Sequence, residues 1–259
     1  MKVGIIGYGR IGASLYEKFS RDPNVTVSFI YEKIVEKTRA LDKTLLLDHP
    51  NQLKEKKADL VVEAADFAAV TSLAPQVLKH SDMLILSASA LADASLDETL
   101  RRLAEENGNR IYIPHGALLG MDGFQDGRET FDEIMITTVK APKNLDFSFQ
   151  TKWKQDEIKE RTVLHDGTTR ECCKLFPRNV NSHAVLALSS LGFDRTRSVL
   201  VADPDSQVAS HHIVARGGGT TTEIIQASRI KGVTGDYTLA SVYGTIRRIL
   251  GDQKGLSIV

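Results

Sequence analysis

The sequence predicts an α/β protein in which a doubly wound parallel sheet is followed by a second, smaller α+β domain. Three observations lead to this prediction. Apolar strand-like runs alternate with helical segments about every 25 residues in the first part of the chain, and a glycine-rich turn ends the first run. After Asp122 the pattern changes to short β-branched runs. We expect one domain at residues 1–121, to which a C-terminal helix at 236–259 returns, and another at residues 122–235.

Composition is that of an ordinary globular protein, with 42% hydrophobic and 25% charged residues among 259. The formal net charge is zero, and no apolar run approaches the roughly 20 residues of a membrane span, so no nucleic-acid or membrane partner is expected. The two cysteines, Cys172 and Cys173, are adjacent and are expected to be buried in a helix. They favour a reducing, cytoplasmic location. No spacing typical of metal ligands is present, so no metal site is predicted.

The first strand and its turn are the strongest local signal. The apolar run at residues 2–6 is typical of a strand buried on both faces, and Gly7, Gly9 and Gly12 follow it as G-x-G-x-x-G. Gly7 allows the tight turn, Gly9 lets the backbone approach a pyrophosphate, and Gly12 lets the following helix pack close to the strand. Strand, turn and helix in this order predict a Rossmann domain that binds a dinucleotide. The predicted cofactor-binding residues here are Gly7, Gly9, Arg10, Ile11 and Gly12.

A second strand at residues 25–30 leads to Glu32, which lies 20 residues beyond Gly12. That spacing is typical of the acid that binds the ribose hydroxyls of the cofactor. A carboxylate there repels a 2′-phosphate, so NAD is favoured over NADP. Lys33 and Lys37 weaken the preference, and NADP stays possible.

The remaining elements of the first domain follow in order. A helix is expected at 35–47, and the later elements are strand 58–65, helix 67–79, strand 83–90, helix 96–107 and strand 110–114. Ligands bind at the carboxyl ends of the strands in such sheets, and small residues at these ends leave room for a ribose and a nicotinamide. The predicted additional cofactor-binding residues are Ala64, Ala65, Ser87, Ala88, Gly116 and Ala117.

The second domain is expected to combine hairpin-like strands with two helices on one side. Strands are predicted at 133–140, 162–166, 198–203, 211–216 and 220–226, and helices at 168–175 and 184–191. A last helix begins at Asp236 or Thr238, runs to Leu250 and returns to the first domain.

Hydride transfer with a nicotinamide requires a proton acceptor and substrate anchors, and histidine is the first candidate for the acceptor. His183 stands at a helix start among polar residues. His211 and His212 open a strand and point to opposite faces of the sheet, so at most one of them reaches a given pocket. The pattern alone does not choose among these three histidines.

A resemblance to a known family makes the choice. The chain resembles the L-aspartate dehydrogenase family over nearly its whole length, and two of the matching segments are far more specific than the others: FPRNVN at 176–181 and HHIVARG at 211–217. The less specific matching segments are GIIGYGRIG at 4–12, VEAA at 62–65, LSASAL at 86–91, GALLGMD at 116–122 and LVADP at 200–204.

This resemblance implies NAD(P)-dependent oxidation of an amino acid to an imine, followed by release of ammonia and a 2-oxo acid, or the reverse reductive amination. It assigns the catalytic acid–base role to His211, six residues before Gly217. It also implies a homodimer built through the sheet of the second domain. The predicted substrate-binding residues are Arg178, Asn179, Asn181 and His183.

Two departures from the family pattern bear on the substrate. Thr234-Gly235-Asp236-Tyr237 replaces the family's Asn-Pro-Lys-Thr, and Ser182-His183 replaces small apolar residues. The loss of a cation and the gain of an acid suggest a substrate that is like aspartate but not aspartate itself. Two alternatives stay open: a related imine reductase acting on a different substrate, and a dinucleotide-binding sensor without catalysis.

Overall fold

The chain, described here from a computed structural model over residues 1–231 and 234–251, divides into two compact units. The first unit comprises Met1–Pro114 together with the last helix from Thr245 onward. The second comprises His115–Gly244. Across these described residues, no helix combines the length and the apolar character needed to cross a membrane.

The first unit is built on a six-stranded sheet in the order β3-β2-β1-β4-β5-β6, and every neighbouring pair is parallel. Its strands are β1 (Lys2–Ile6), β2 (Thr26–Tyr31), β3 (Leu46–Leu47), β4 (Leu60–Glu63), β5 (Asp82–Ile85) and β6 (Ile111–Tyr112). This order confirms the predicted Rossmann topology. The order reverses between β1 and β4, which is where ligands bind in such sheets.

Three helices of the first unit follow the strands as predicted: α1 (Arg10–Phe19), α2 (Phe67–Val77) and α3 (Ala94–Glu106). The side chain of Asp66 accepts a hydrogen bond from the Ala69 amide and so caps α2. Leu15 and Phe19 on α1 are almost completely buried, which fixes this helix against the sheet.

Two predicted elements of this unit are wrong. Residues 35–47 form no α-helix: Val35 is exposed, and Leu46–Leu47 belong to strand β3. Two short 3-10 turns stand there instead, and the second is stabilised by Asp42, which accepts from the Thr44 amide. The strand predicted at 83–90 ends at Ile85, and a 3-10 helix occupies Ala88–Ala92.

The second unit has a five-stranded mixed sheet in the order β11-β10-β7-β9-β8. Only β7 and β9 pair in parallel, and the other neighbours are antiparallel. Its strands are β7 (Glu133–Lys140), β8 (Thr162–Thr168), β9 (Thr196–Ala202), β10 (Ala209–Gly217) and β11 (Thr220–Ser228). A separate ladder joins β12 (Ile230–Lys231) to β13 (Thr234–Gly235).

The helices of the second unit are α4 (Met121–Asp126), α5 (Thr169–Leu175) and α6 (Asn181–Leu188). Helices α5 and α6 pack against β9, and α5 also packs against β8. Every second residue of β7 is buried from Ile134 to Lys140, as a strand covered on one face requires. Cys172 and Cys173 lie buried in α5 and form no disulfide, as predicted.

The last helix, α7 (Asp236–Ile249), begins in the second unit and ends in the first. Ile246 is completely buried, and Arg247 lies 3.4 Å from the buried carboxylate of Asp22. The predicted return of this helix to the first domain is confirmed. Residues 252–259, which the prediction included in the helix, lie outside the described residues.

Candidate active site

The glycine turn after β1 has the shape of a dinucleotide cradle. Gly7 has a φ of +91°, a backbone conformation that residues with a Cβ rarely adopt. A Cβ on Gly12 would collide with the carbonyl oxygen of Gly7, so the start of α1 approaches the turn closely. A Cβ on Gly9 would meet no atom within 4 Å. The turn thus leaves open space at the glycine where a pyrophosphate needs to approach, between the two glycines that shape the backbone.

Glu32 stands at the end of β2 beside this turn. Its Oε2 accepts from the amide of Tyr8 at 2.7 Å, and its Oε1 accepts from the amide of Ile34 at 2.9 Å. Burial raises the pKa of this carboxyl group, but the hydrogen bonds from Ile34 and Tyr8 and the nearby Lys37 ammonium outweigh burial and lower it. The group is therefore an ionised acceptor, which fits the ribose hydroxyls of NAD. Lys37, at 3.5 Å, partly offsets its charge.

The turns after β4 and β5 are held together by the buried side chain of Glu63. Its carboxylate accepts from the amides of Ala65, Leu86 and Ser87 at 2.8, 3.1 and 2.9 Å, and from the Ser87 hydroxyl at 2.9 Å. The amide of Ala64 donates to the Ile6 carbonyl at the end of β1. Predicted cofactor-binding residues 64, 65, 87 and 88 therefore belong to turns fixed to the same edge of the sheet.

The last predicted cofactor-binding residues, Gly116 and Ala117, lie in a turn at the start of the second unit. Gly116 has a φ of +62°, and the amide of Leu118 donates to the His115 carbonyl at 3.1 Å. Whether these residues bind the cofactor stays a prediction.

The centre of the second unit contains a continuous chain of buried polar side chains. His211 Nδ1 lies 2.7 Å from Thr138 Oγ1, which also lies 2.7 Å from His183 Nε2. His183 Nδ1 lies 2.9 Å from Ser198 Oγ, which is 2.7 Å from Thr169 Oγ1. These five residues are called the polar chain. They come from strands β10, β7 and β9 and from helices α5 and α6. All five are buried between the sheet and the helices.

Burial decides the protonation of the two histidines. Desolvation, assisted by the Lys140 ammonium, lowers the pKa of His211 to about 3. Desolvation also lowers the pKa of His183 well below its ordinary value, with smaller contributions from His211, Lys140 and His165. Both rings are neutral at physiological pH, so His211 is able to accept a proton. His212 takes no part, since it stands on the other face of the sheet near Glu223.

Lys140 is a buried cation that the sequence analysis did not single out. It lies two residues beyond Thr138 on the same face of β7, and Nζ donates to the Asn179 carbonyl at 3.2 Å. In the described part of the chain, no carboxylate lies within 4.0 Å of Nζ. Burial lowers the pKa of Lys140 to about 8. The alternation Ile134, Ile136, Thr138, Lys140 was the available signal, because it places this lysine on the inward face.

The predicted substrate-binding residues 178–183 occupy the loop before α6 and its first turn. Arg178 is half-exposed and donates to Asp146 at 3.0 Å. The side-chain amide of Asn179 is buried and clamps Asp146, accepting from its amide at 2.9 Å and donating to its carbonyl at 2.7 Å. Asn181 is the first residue of α6. His183 is completely buried within the polar chain, so its predicted contact with substrate is untested and its observed contacts are structural.

Comparison with known proteins adds two family matches. The model described as "Aspartate dehydrogenase, C-terminal" matches residues 122–249, and that described as "Homoserine dehydrogenase, NAD binding domain" matches residues 7–114. The two matches together span both units and give the chain an NAD-binding domain.

Individual proteins are similar over most of the chain. An L-aspartate dehydrogenase from Nitrosopumilus maritimus is 32% identical over 87% of this chain and 87% of its own length. One from Methanosarcina mazei is 31% identical over 96% and 97%. The crystal structure of an aspartate dehydrogenase from Thermotoga maritima superposes with a TM-score of 0.76 at 25% identity, and the alignment covers 100% of this chain and 99% of that one.

Proposed function

Since this chain belongs to the aspartate dehydrogenase family of NAD-binding oxidoreductases, we propose that it oxidises an aspartate-like L-amino acid to ammonia and a 2-oxo acid, or catalyses the reverse reductive amination. The observation that carries this proposal is His211, a buried neutral imidazole with one nitrogen held by Thr138. Its other nitrogen, Nε2, has no hydrogen-bond partner among residues 1–231 and 234–251. The substrate and the release of ammonia belong to this proposal.

The cofactor is held by the glycine turn and by Glu32, whose observed shapes and charges fit NAD. The chemistry that NAD supplies when bound is acceptance of the hydride from the α-carbon of the amino acid. The amino acid reacts as its free amine, after its ammonium proton has left to solvent. His211 then takes, at Nε2, a proton from the water that attacks the imine carbon. That proton returns to nitrogen as the carbon–nitrogen bond breaks, and ammonia and the 2-oxo acid leave.

Lys140 is the anchor that we assign to a substrate carboxylate. A buried ammonium without a carboxylate partner is unfavourable in the free protein, and an anion beside it removes that cost. A carboxylate bound there raises the pKa of His211, because it offsets the positive charge that lowers it. Arg178, Asn179 and Asn181 remain proposed substrate contacts.

The test is turnover of purified protein with NAD or NADP and a panel of L-amino acids, followed by the absorbance of the reduced nicotinamide. An L-amino acid that carries two acidic groups but is not L-aspartate is expected to give the highest kcat/KM. L-Aspartate as the best substrate would contradict the departure from aspartate inferred from Asp236. The H211A variant is expected to lose about 10²- to 10⁴-fold in kcat, while its affinity for NADH is retained. H212A is the matched control, because this neighbouring histidine lies on the other face of the sheet.

The two alternatives give different results in the same assay. An imine reductase reduces preformed cyclic or bulky imines and shows no ammonia-dependent turnover with any 2-oxo acid. A sensor binds NADH but turns over none of the compounds. Either result would remove the amino-acid dehydrogenase proposal.

A homodimer and a cytoplasmic location complete the proposal. The outer face of the second sheet supports dimerisation, since Ile225 on β11 is 73% exposed on the side away from α5 and α6. Light scattering of the purified protein with an I225D variant tests this assembly.

A further inference from the structure

The polar chain has a direction, and its far end fixes that direction. Thr169 Oγ1 lies 2.9 Å from the backbone carbonyl of Thr196. A carbonyl oxygen can only accept, so the one hydroxyl proton of Thr169 is used there. The contact between Thr169 and Ser198 then requires the Ser198 hydroxyl to donate.

Each remaining proton follows from this first one. Ser198 has used its proton, so its oxygen accepts from His183, and the proton of His183 lies on Nδ1. A neutral imidazole carries one proton, so His183 Nε2 accepts, and the Thr138 hydroxyl donates to it. The oxygen of Thr138 accepts in turn from His211, whose proton lies on Nδ1.

We propose that Thr138, with His183, Ser198 and Thr169 behind it, is a positioning residue that holds His211 in the Nδ1–H tautomer and leaves the lone pair of Nε2 free to accept a proton. The use of that lone pair in catalysis rests on the proposed function, whereas the tautomer itself does not. The assignment also gives His183 a role that requires no contact with substrate.

The opposite direction is less favourable because it leaves one buried acceptor without its donor. With the proton on Nε2 of His211, Thr138 would donate to His211 and Ser198 would donate to His183. Thr169 would then have to donate to Ser198, and the Thr196 carbonyl would lose its side-chain hydrogen bond. One lost buried hydrogen bond disfavours this arrangement by about tenfold. The neutral state that burial imposes on both rings is what gives each of them a tautomer to select.

The experiment is heteronuclear NMR on protein labelled with ¹⁵N in its histidine rings, because the ring nitrogen shifts report directly which nitrogen is protonated. The His211 signals are identified by their absence in H211Q. Wild-type protein is expected to show His211 protonated at Nδ1 and His183 protonated at Nδ1. Detection of His211 with its proton on Nε2 would overturn the proposal.

T138V tests whether the Thr138 hydroxyl causes the His211 tautomer, because this variant keeps the shape of the side chain and removes the hydroxyl. Without an acceptor beside Nδ1, the His211 proton is expected to move to Nε2, the nitrogen that carries it in free histidine in water. T138S restores the hydroxyl and is expected to restore the wild-type spectrum. T137V is the matched control on the other face of β7 and is expected to change nothing. An unchanged His211 spectrum in folded T138V would contradict the proposal.

Kinetics supply a second readout that a merely structural role would not move in the same way. T138V is expected to lose about tenfold to a hundredfold in kcat with little change in KM. The reason is that an imidazole with its proton on Nε2 leaves substrate binding unchanged but cannot accept a proton at that nitrogen. S198A, which breaks the chain farther from His211, is expected to show a smaller loss. If wild-type protein shows the predicted tautomer but turns over no amino acid, the proposed function fails and the tautomer assignment stands.

Discussion

Replacement of Lys140 by methionine is expected to stabilise the protein while it lowers kcat/KM. The difference between the ordinary lysine pKa of 10.5 and about 8 corresponds to about 3 kcal/mol by which burial disfavours the charged side chain. The variant loses this penalty, but the Asn179 carbonyl loses its donor, at a cost of about 1–2 kcal/mol. The expected net change at pH 7 is a gain of about 1–2 kcal/mol in the free energy of unfolding.

The pH dependence of the stability gain identifies Lys140 as its source. Between about pH 8 and 10.5 the unfolded chain holds the Lys140 proton and the folded chain does not, so wild-type stability gains from this residue as pH rises. The contribution is fully unfavourable below pH 8 and is relieved above it. The stability advantage of K140M should therefore shrink, and reverse, when urea unfolding is repeated near pH 10.

The assay pairs urea unfolding at the two pH values with steady-state kinetics. K140M is expected to lose about tenfold to a hundredfold in kcat/KM, because a charge-assisted hydrogen bond to a substrate carboxylate is worth about 1.5–3 kcal/mol. K143M replaces an exposed lysine nearby and should change stability by less than about 0.5 kcal/mol. A K140M protein that is less stable than wild type at pH 7 by more than about 1 kcal/mol would refute the reasoning.

Three further predictions concern the first unit. G9A should fold with wild-type stability, because the added Cβ meets no atom within 4 Å, but it should bind NADH at least about tenfold more weakly. A fluorescence titration measures this affinity, and G123A, whose added Cβ also meets no atom within 4 Å, is the control. E63Q should lower the free energy of unfolding in urea by about 2–3 kcal/mol, because the new side-chain amide nitrogen would face backbone N–H donors. E106Q, at an exposed position, should leave the free energy of unfolding almost unchanged. E32A should raise kcat/KM with NADPH relative to NADH, and an unchanged ratio would remove Glu32 from cofactor selection.

The sequence predicts the first unit well because its signals are local. The glycine turn, the first two buried strands and Glu32 all lie within the first 32 residues, and each has a specific steric or electrostatic role. The helix expected at 35–47 does not form, because periodicity alone does not guarantee burial and Val35 is exposed. The strand expected at 83–90 ends early because Ser87 turns towards Glu63, a contact between residues 24 positions apart.

The candidate site of the second unit is only partly predictable. The resemblance selects His211, and strand alternation correctly separates it from His212. The hydrogen bond from His211 to Thr138 joins residues 73 positions apart, and that from Thr138 to His183 joins residues 45 positions apart. Thr138 is not marked by any local pattern, because threonine is an ordinary strand residue. Only the register of β7 against β10 places it opposite His211.

The shared helix α7 has a consequence for how the protein is made. Helix α7 supplies two residues to the first unit from late in the chain. Ile246 has no exposed surface, and Arg247 lies beside the buried carboxylate of Asp22. A ribosome that has finished the whole parallel sheet therefore still holds an incomplete first unit, and the second must be synthesised before the missing piece emerges. Contacts so distant in sequence slow folding. We expect the nascent chain to depend on chaperones during this interval and to be most sensitive to proteolysis then.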